Sequence, residues 1–165
     1  MLLSFTQPGD TILSIAPNDG GHFATKPLVE KMGRRSAYLA FDHSLHRVSI
    51  EGSRSDLRQA GMIILDMGVP LFPLNVQQIA NEKPATCKLV YDASHTLGLI
   101  AGGEFQSPIH EGADVLQGNT HKSFPGPVRA VVMTNSAKIA SDLDDSLTTA
   151  LVSHPNTASL LALYQ

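Results

Sequence analysis

The sequence predicts an α/β fold with a mostly parallel sheet, and three observations support that prediction. Short runs rich in Ile, Val, Leu and Met recur along the chain. They are apolar at consecutive rather than alternate positions, which is typical of strands buried on both sides of a parallel sheet. Stretches of helical character separate them, as crossovers between parallel strands require. The 165 residues have room for one domain, with helices on both faces of the sheet.

The predicted elements alternate from one end of the chain to the other. Cap-type residues with early negative charge, Ser53 to Asp56 and Ser141 with Asp142, lie near two predicted helix starts. The predicted strands are 11–16, 37–41, 62–65, 88–93, 115–118 and 130–134. The predicted helices are 53–60, 75–81, 139–152 and a last one from 157.

Composition excludes several classes of protein. The net charge of −3 gives no basic face for nucleic acid or acidic lipid. No apolar run is long enough for a membrane span, and the start of the chain lacks the pattern of a signal peptide. The single cysteine, Cys87, excludes an internal disulfide and fits a reducing cytoplasm. We therefore expect a cytoplasmic protein, in which Cys87 is a small residue entering a strand.

Chemically suggestive residues follow three of the predicted strands. Asp19-Gly20-Gly21-His22 comes after the first strand, Asp92 to His95 ends the fourth, and Asn119 to Lys122 ends the fifth. In an open parallel sheet, ligands bind beyond the carboxyl ends of the strands. Three clusters at three strand ends therefore predict the rim of an active site.

Lys122 lies in a loop of small residues with no acidic neighbour within seven positions. This setting suits an amine that attacks a carbonyl to form a Schiff base. The upstream Asp92 suits a carboxylate that keeps the ring nitrogen of pyridoxal phosphate protonated. Each residue also has an ordinary structural interpretation. Lys122 would then be a solvated loop lysine, Asp92 a helix cap, and His22 a histidine in a turn.

The remaining histidines and the cysteine give no signal for a metal site. No His-Glu-x-x-His or Cys-x-x-Cys spacing occurs, so no metal is predicted. The histidines without motif support are expected to be structural or exposed, and they are His43, His46, His110 and His154.

Several motifs together resemble the serine hydroxymethyltransferase family, a branch of the fold-type-I pyridoxal-phosphate enzymes. The most specific pair is Asp92-Ala93-Ser94-His95 and Thr120-His121-Lys122, about 30 residues apart. The supporting motifs, in the family's order, are Pro8 to Leu13, Gly20 to His22, Gly98 to Gly103 and Gly126-Pro127. The resemblance covers nearly the whole chain and implies the three-layer large domain of that fold.

The resemblance also implies a role for each matched residue. Lys122 would form the internal aldimine, and Asp92 would pair with the pyridinium nitrogen. His22 would stack on the ring, and His95 would contact the phenolic oxygen or a substrate hydroxyl. Thr120 and His121 would support the lysine and the phosphate. The implied reaction is retro-aldol cleavage of the Cα–Cβ bond of a β-hydroxy amino acid, with tetrahydrofolate as a co-substrate.

Departures from the family pattern leave two further readings open. Gly68 stands where a serine is expected, and Val128 changes the usual Gly-Pro-Arg-Gly-Gly. The segments 65–73 and 123–127 resemble the threonine-transaldolase-like relatives, which pass the glycyl carbanion to an aldehyde.

The amino-terminal arm, the phosphate-binding segment and the carboxyl-terminal small domain of the family have no counterpart in residues 1–165. We therefore expect a partial large domain that a second copy or another chain completes, in a homodimer or hetero-oligomer. The other reading is a non-catalytic remnant that acts as a binding or partner subunit.

Overall fold

A six-stranded sheet forms the centre of the computed structural model, which describes residues 1–150, 152 and 156–164. Its strand order is β2-β1-β5-β6-β7-β8. The sheet strands are β1 (Thr11–Ser14), β2 (Arg35–Tyr38), β5 (Met62–Leu65), β6 (Lys88–Asp92), β7 (Val115–Asn119) and β8 (Ala130–Met133). A separate antiparallel pair consists of β3 (Phe41–Asp42) and β4 (Arg47–Val48).

Helices lie on both faces of the sheet. On one side, which we call the closed face, Leu57, Ile79 and Leu97 from three helices pack against strand residues. On the other, the cavity face, Val29 and Ile139 from two helices do the same. The helices are α1 (Leu2–Phe5), α2 (Thr25–Lys31), α3 (Ile50–Leu57), α4 (Val76–Glu82), α5 (Leu97–Ala101), α6 (Ala137–Ala150) and α7 (Thr157–Leu163).

The predicted α/β class and mostly parallel sheet are confirmed. The pairings β1–β2, β1–β5, β5–β6 and β6–β7 are parallel, and only β7–β8 in this sheet is antiparallel. Side chains of each strand alternate between the two faces. In β5, Ile63 and Leu65 therefore belong to the closed face, while Met62 belongs to the cavity face.

The two edge strands differ from the prediction of burial on both sides. β2 begins at Arg35 rather than at 37, and its first and last residues are exposed. β8 matches its predicted position, but Val132 and Met133 are 40% and 42% exposed. An edge strand has a neighbour on one side only, so less of the chain covers it. The prediction was wrong for these strands because apolar composition does not report position in the sheet.

Helix starts also differ from the prediction, because other serines act as the caps. α3 begins at Ile50, where the Ser49 side chain accepts a hydrogen bond from Gly52 N at 3.2 Å. α6 begins at Ala137, and the Ser136 hydroxyl accepts from Ile139 N at 3.3 Å. The helix predicted at 75–81 and the one from 157 are confirmed by α4 and α7.

Three short helices, α1, α2 and α5, were not predicted. The predicted end of α6 near 152 falls partly outside the described residues. His154, which was expected to be structural or exposed, falls wholly outside them. Within the described part of the chain, no helix is both long enough and apolar enough to cross a membrane.

Candidate active site

A cavity of about 520 Å³ lies at the carboxyl ends of β5, β6 and β7. One side of it is apolar and is formed by residues of α1 and α2, including Leu2 and Leu28. The other side is polar and includes His22, Asp92 and Lys122. The strand ends that the sequence predicted as an active-site rim therefore meet in one cavity.

Sheet register explains how the cavity floor changes from apolar to polar. Ile64 and Val90 are register partners on neighbouring strands, and both line the cavity. Two residues further along these strands are Asp66 and Asp92, and the register partner of Asp92 is Gln117. Residues two apart on a strand share a face. We call Asp66, Asp92 and Gln117 the polar row; all three line the cavity.

Asp92 is held in place by two hydrogen bonds. Its Oδ1 accepts from Ser94 N at 2.8 Å, and its Oδ2 accepts from Gln117 Nε2 at 2.8 Å. Ser94 is itself held by Asn119, whose Nδ2 donates to the Ser94 hydroxyl at 3.1 Å. These bonds hold the Asp92 carboxylate in one orientation at the wall of the cavity.

Lys122 and His95 form a close pair in the same cavity. Lys122 Nζ lies 3.2 Å from His95 Nε2, which accepts a hydrogen bond from the lysine when the imidazole is neutral at that nitrogen. Burial lowers the pKa of His95, and the Lys122 charge lowers it further, while Asp92 opposes the shift. His95 is therefore biased towards the neutral imidazole, which is a hydrogen-bond acceptor and a base.

The loop that carries Lys122 is anchored from behind by Thr120. The Thr120 side chain is 1% exposed, and its hydroxyl donates to Pro127 O at 2.6 Å. Gly126 N donates to Thr120 O at 2.7 Å, which closes the loop. On its other side, Gly98 packs so tightly that an added Cβ would lie 2.2 Å from Ser123 O. These contacts define the position of the loop.

The loop that carries His22 is tied to the segment after β5. Gly21 forms an antiparallel bridge with Met67, and Gly68 N donates to Gly20 O at 2.8 Å. Gly20 has a φ of +93°, a conformation that glycine adopts without strain. A Cβ on Gly21 would meet Ile15 O at 1.9 Å, so this tight turn also requires glycine.

The structure brings together four of the six residues predicted for the site. His22, Asp92, His95 and Lys122 all line the cavity. Thr120 and His121 are not among the residues that line it: Thr120 is buried behind the loop and His121 is exposed.

The histidines without motif support have other surroundings. His43 Nε2 lies 3.1 Å from Asp19, His46 stacks on Phe72 with ring centroids 4.7 Å apart, and His110 Nδ1 lies 2.7 Å from the Ser107 hydroxyl. Within the described residues, no group of three or more metal-binding side chains comes together.

Sequence reasoning missed two members of the polar row, Asp66 and Gln117. Asp66 directly follows the buried strand β5, much as Asp92 ends β6, and this position was a signal that could have identified it. Gln117 lies inside a strand, and only the register with Asp92 reveals its contact. Burial raises the pKa of Asp66, and the charge of Asp92 raises it further.

Comparison with known proteins identifies the relatives of this chain. It is 41% identical over 165 residues to the fluorothreonine transaldolase of Streptantibioticus cattleyicolor, covering 97% of this chain and 25% of that protein. It is 36% identical to the serine hydroxymethyltransferase of Methanopyrus kandleri, covering 98% and 39%. The chain is a homologue of serine hydroxymethyltransferases and threonine transaldolases. No protein-family model matches it.

A solved structure of one transaldolase relative shares this fold. The L-threonine transaldolase from Pseudomonas fluorescens, in its internal aldimine state, superimposes with a TM-score of 0.82 at 34% identity. The match covers 91% of this chain and 35% of the transaldolase. The predicted resemblance is confirmed, including its transaldolase branch. The chain spans 25% to 39% of the length of the hydroxymethyltransferase and transaldolase named above.

Proposed function

We propose that the cavity binds pyridoxal 5′-phosphate and that the chain takes part in cleaving the Cα–Cβ bond of a β-hydroxy amino acid. The observation that carries this proposal is the pair of Lys122 Nζ and His95 Nε2, 3.2 Å apart, in the same cavity as Asp92. When bound, the cofactor supplies an electron sink for the electron pair left at the substrate Cα.

The residues present fit this cofactor. A volume of about 520 Å³ is within the range of small-molecule sites. Lys122 offers the primary amine that would hold the aldehyde carbon covalently. Asp92, with both oxygens fixed, would hold the protonated ring nitrogen through a charge-assisted hydrogen bond. His22 would lie against the ring, since an imidazole can stack on another aromatic ring.

In this proposal each side chain has a task of its own. Neutral His95 accepts a proton from Lys122 Nζ, or from a substrate hydroxyl that takes the lysine's place. Asp92 keeps its negative charge in a constant position through its bonds to Ser94 and Gln117. Thr120 supports Lys122 from behind through the loop hydrogen bonds. The family resemblance alone assigns His121 to the phosphate, since this side chain is exposed and does not line the cavity.

Two substrates follow from the two groups of relatives. The first is serine, with transfer of the hydroxymethyl group to tetrahydrofolate and release of glycine. The second is threonine, with transfer of the glycyl unit to an aldehyde. The relatives named above include both classes, and the 41% identity to a transaldolase specifically favours the second.

We also propose that the chain forms a homodimer or a hetero-oligomer in the cytoplasm. Large apolar side chains are exposed on segments next to the cavity: Phe23 at 77%, Val69 at 72% and Val128 at 72%. Exposed apolar side chains of this size favour association with another chain. Analytical ultracentrifugation of the purified chain should show a species larger than a monomer, and a stable monomer at all concentrations would contradict this part.

The first experiment is an absorbance spectrum of the chain with added pyridoxal phosphate. Wild type and Lys138→Ala should show the visible band of the lysine-bound cofactor, and Lys122→Ala should not. Lys138 is a matched control because it is an exposed lysine on α6, 82% accessible, that does not line the cavity. Borohydride reduction and peptide mass spectrometry should then locate the label on Lys122. Identical spectra for wild type and Lys122→Ala would support a non-catalytic remnant instead.

A second experiment distinguishes the two substrates. The chain with cofactor is incubated with L-serine and tetrahydrofolate, or with L-threonine and an acceptor aldehyde. Glycine formed only in the first mixture indicates hydroxymethyl transfer. A new β-hydroxy amino acid and acetaldehyde in the second mixture indicate transaldolase activity.

A further inference from the structure

The turn after β6 carries a hydroxyl group that the proposed function does not use. Ser94 lies in the chain between Asp92, which the proposed function pairs with the ring nitrogen, and His95, which contacts Lys122. All four residues line the cavity, and Ser94 is half-buried there. In pyridoxal phosphate, the ring nitrogen and the carbon that carries the aldehyde are on opposite sides of the ring. A side chain next to both protein contacts is therefore placed near the ring edge between these two positions.

Two hydrogen bonds hold Ser94 in place but leave the proton of its hydroxyl unused. Ser94 N donates to Asp92 Oδ1 at 2.8 Å, and Ser94 Oγ accepts from Asn119 Nδ2 at 3.1 Å. A serine hydroxyl is a donor as well as an acceptor. Among the described residues, no protein acceptor takes the Ser94 proton. The turn therefore presents a positioned hydroxyl donor at the wall of the cavity.

The other hydroxyl groups around the cavity are placed differently. The Ser146 hydroxyl donates to a carbonyl of its own helix at 2.9 Å, and the Thr25 side chain interacts with a carboxyl group of the polar row. Ser4 lies on α1, which forms the apolar side of the cavity. Gly68, where the family resemblance expects a serine, has no hydroxyl to offer. Ser94 is therefore the hydroxyl donor that lies beside the proposed cofactor contacts.

The acceptor that matches this donor is the phenolic oxygen of the cofactor. The positive charge of a protonated ring nitrogen favours the ionised form of this oxygen, which accepts hydrogen bonds. Neutral His95 accepts from Lys122 at Nε2, so that nitrogen is not the donor for the same oxygen. The cofactor phosphate is the other acceptor next to the ring edge, but its two negative charges are unfavourable beside the carboxylate of Asp92.

We propose that the Ser94 hydroxyl donates a hydrogen bond to the phenolic oxygen of bound pyridoxal phosphate. This inference rests on the proposed function, because it assigns a further residue to the same site. Asn119 is a positioning residue in this arrangement, since it acts through its bond to Ser94 Oγ. The inference also narrows the role expected for His95, which is left to accept a proton from Lys122 or from a substrate hydroxyl.

The test uses three ligands that cannot react with Lys122. They are pyridoxine 5′-phosphate, its 3-deoxy analogue, which has hydrogen in place of the phenolic hydroxyl, and pyridoxine, which lacks the phosphate. Binding of each to the purified 165-residue chain is measured by titration calorimetry. Ser94→Ala should bind pyridoxine 5′-phosphate and pyridoxine about tenfold more weakly than wild type does. Its affinity for the 3-deoxy analogue should be unchanged, because that ligand has no oxygen for Ser94 to contact.

Ser146→Ala is the matched control. Ser146 is half-buried and lines the same cavity, but its hydroxyl already donates to Asp142 O at 2.9 Å. Its substitution should leave the affinity ratio of pyridoxine 5′-phosphate to the 3-deoxy analogue unchanged. Ser94→Thr keeps a hydroxyl and should keep this ratio close to that of wild type. If Ser94→Ala does not fold, Ser94→Cys provides the same comparison, because a thiol is a weak donor.

The outcomes separate the inference from the proposed function. In Ser94→Ala, a loss of affinity only for the two ligands that have the phenolic oxygen supports the inference. A loss only for the two phosphorylated ligands assigns the hydroxyl to the phosphate and overturns the inference. An equal loss for all three ligands, or none, assigns Ser94 a structural role and also overturns it, while the proposed function stands. Absence of binding of all three ligands by wild type overturns both.

Discussion

The two faces of the sheet are formed by the same strands, but they differ in the residues at the carboxyl ends of those strands. On the closed face, apolar side chains continue to the strand ends, where Leu65 and Tyr91 are 0% and 1% exposed. On the cavity face, they stop at Ile64 and Val90, and the next residues on that face are Asp66 and Asp92. Because side chains alternate, each strand contributes to the core and to the site at once. Stability and binding should therefore respond to different substitutions only one residue apart.

The largest effect is expected on the closed face. Leu65→Ala should lower the free energy of unfolding by about 2–5 kcal/mol, because it leaves a cavity in a fully packed core. Urea denaturation followed by circular dichroism measures this change. Leu71→Ala is the control: that side chain is 80% exposed, and its loss should change stability by less than about 0.5 kcal/mol. Equal effects of the two substitutions would show that the closed face is not the stabilising core.

An intermediate effect is expected at Gly98 of α5, a helix that packs on the closed face through Leu97 and contacts the loop that carries Lys122 at Ser123. Gly98→Ala would place a Cβ 2.2 Å from Ser123 O, so the loop that carries Lys122 must shift. We expect a loss of about 1–3 kcal/mol of stability together with weaker cofactor binding. In the control Gly68→Ala, the nearest contact of the new Cβ is 3.6 Å, and stability should be unchanged. Normal cofactor binding by Gly98→Ala would mean that α5 does not position the lysine.

The smallest effect is expected at His95 on the cavity face. Its imidazole should titrate below the ordinary histidine value, because burial and the Lys122 charge both lower its pKa. NMR titration of the imidazole carbons measures the midpoint, and Lys122→Met should raise it by removing the nearby charge. Asp92 raises the pKa of His95, so Asp92→Asn should move the midpoint in the opposite direction.

The same shift gives the sign of a small dependence of stability on pH. The folded chain binds a proton at His95 less readily than the unfolded chain does. The contribution of His95 is therefore fully present above the unfolded pKa and decreases as the pH falls below it. A His95 midpoint at or above the ordinary value, or one that does not respond to Lys122→Met, would contradict the proposed pairing.

Strand composition was sufficient to predict the positions of β5, β6 and β7. It also predicted that the ends of β6 and β7 meet the segment after β1. Continuous apolar runs indicate buried strands, and parallel strands bring their carboxyl ends to one edge of the sheet. His22, Asp92, His95 and Lys122 could therefore be assigned to one site from the sequence. The motif resemblance predicted these four residues together with Thr120 and His121, and of the six only these four line the cavity.

Features that depend on register or on tertiary packing could not be predicted. The contact between Gln117 and Asp92 follows from strand alignment, which no local pattern specifies. Helix α2 has a single buried side chain, Val29, so the sequence contains no helical repeat there. The burial of Thr120 behind its loop depends on carbonyl groups seven and nine residues away.

The alternation of faces along β5 also limits how the length of this chain can vary during evolution. Deleting one residue within Met62–Leu65 would move every later side chain of that strand to the opposite face of the sheet. A carboxylate would then enter the dry core, and a leucine would enter the cavity. Insertions and deletions are therefore tolerable only in connections such as the exposed loop around Leu71, where no alternation has to be kept.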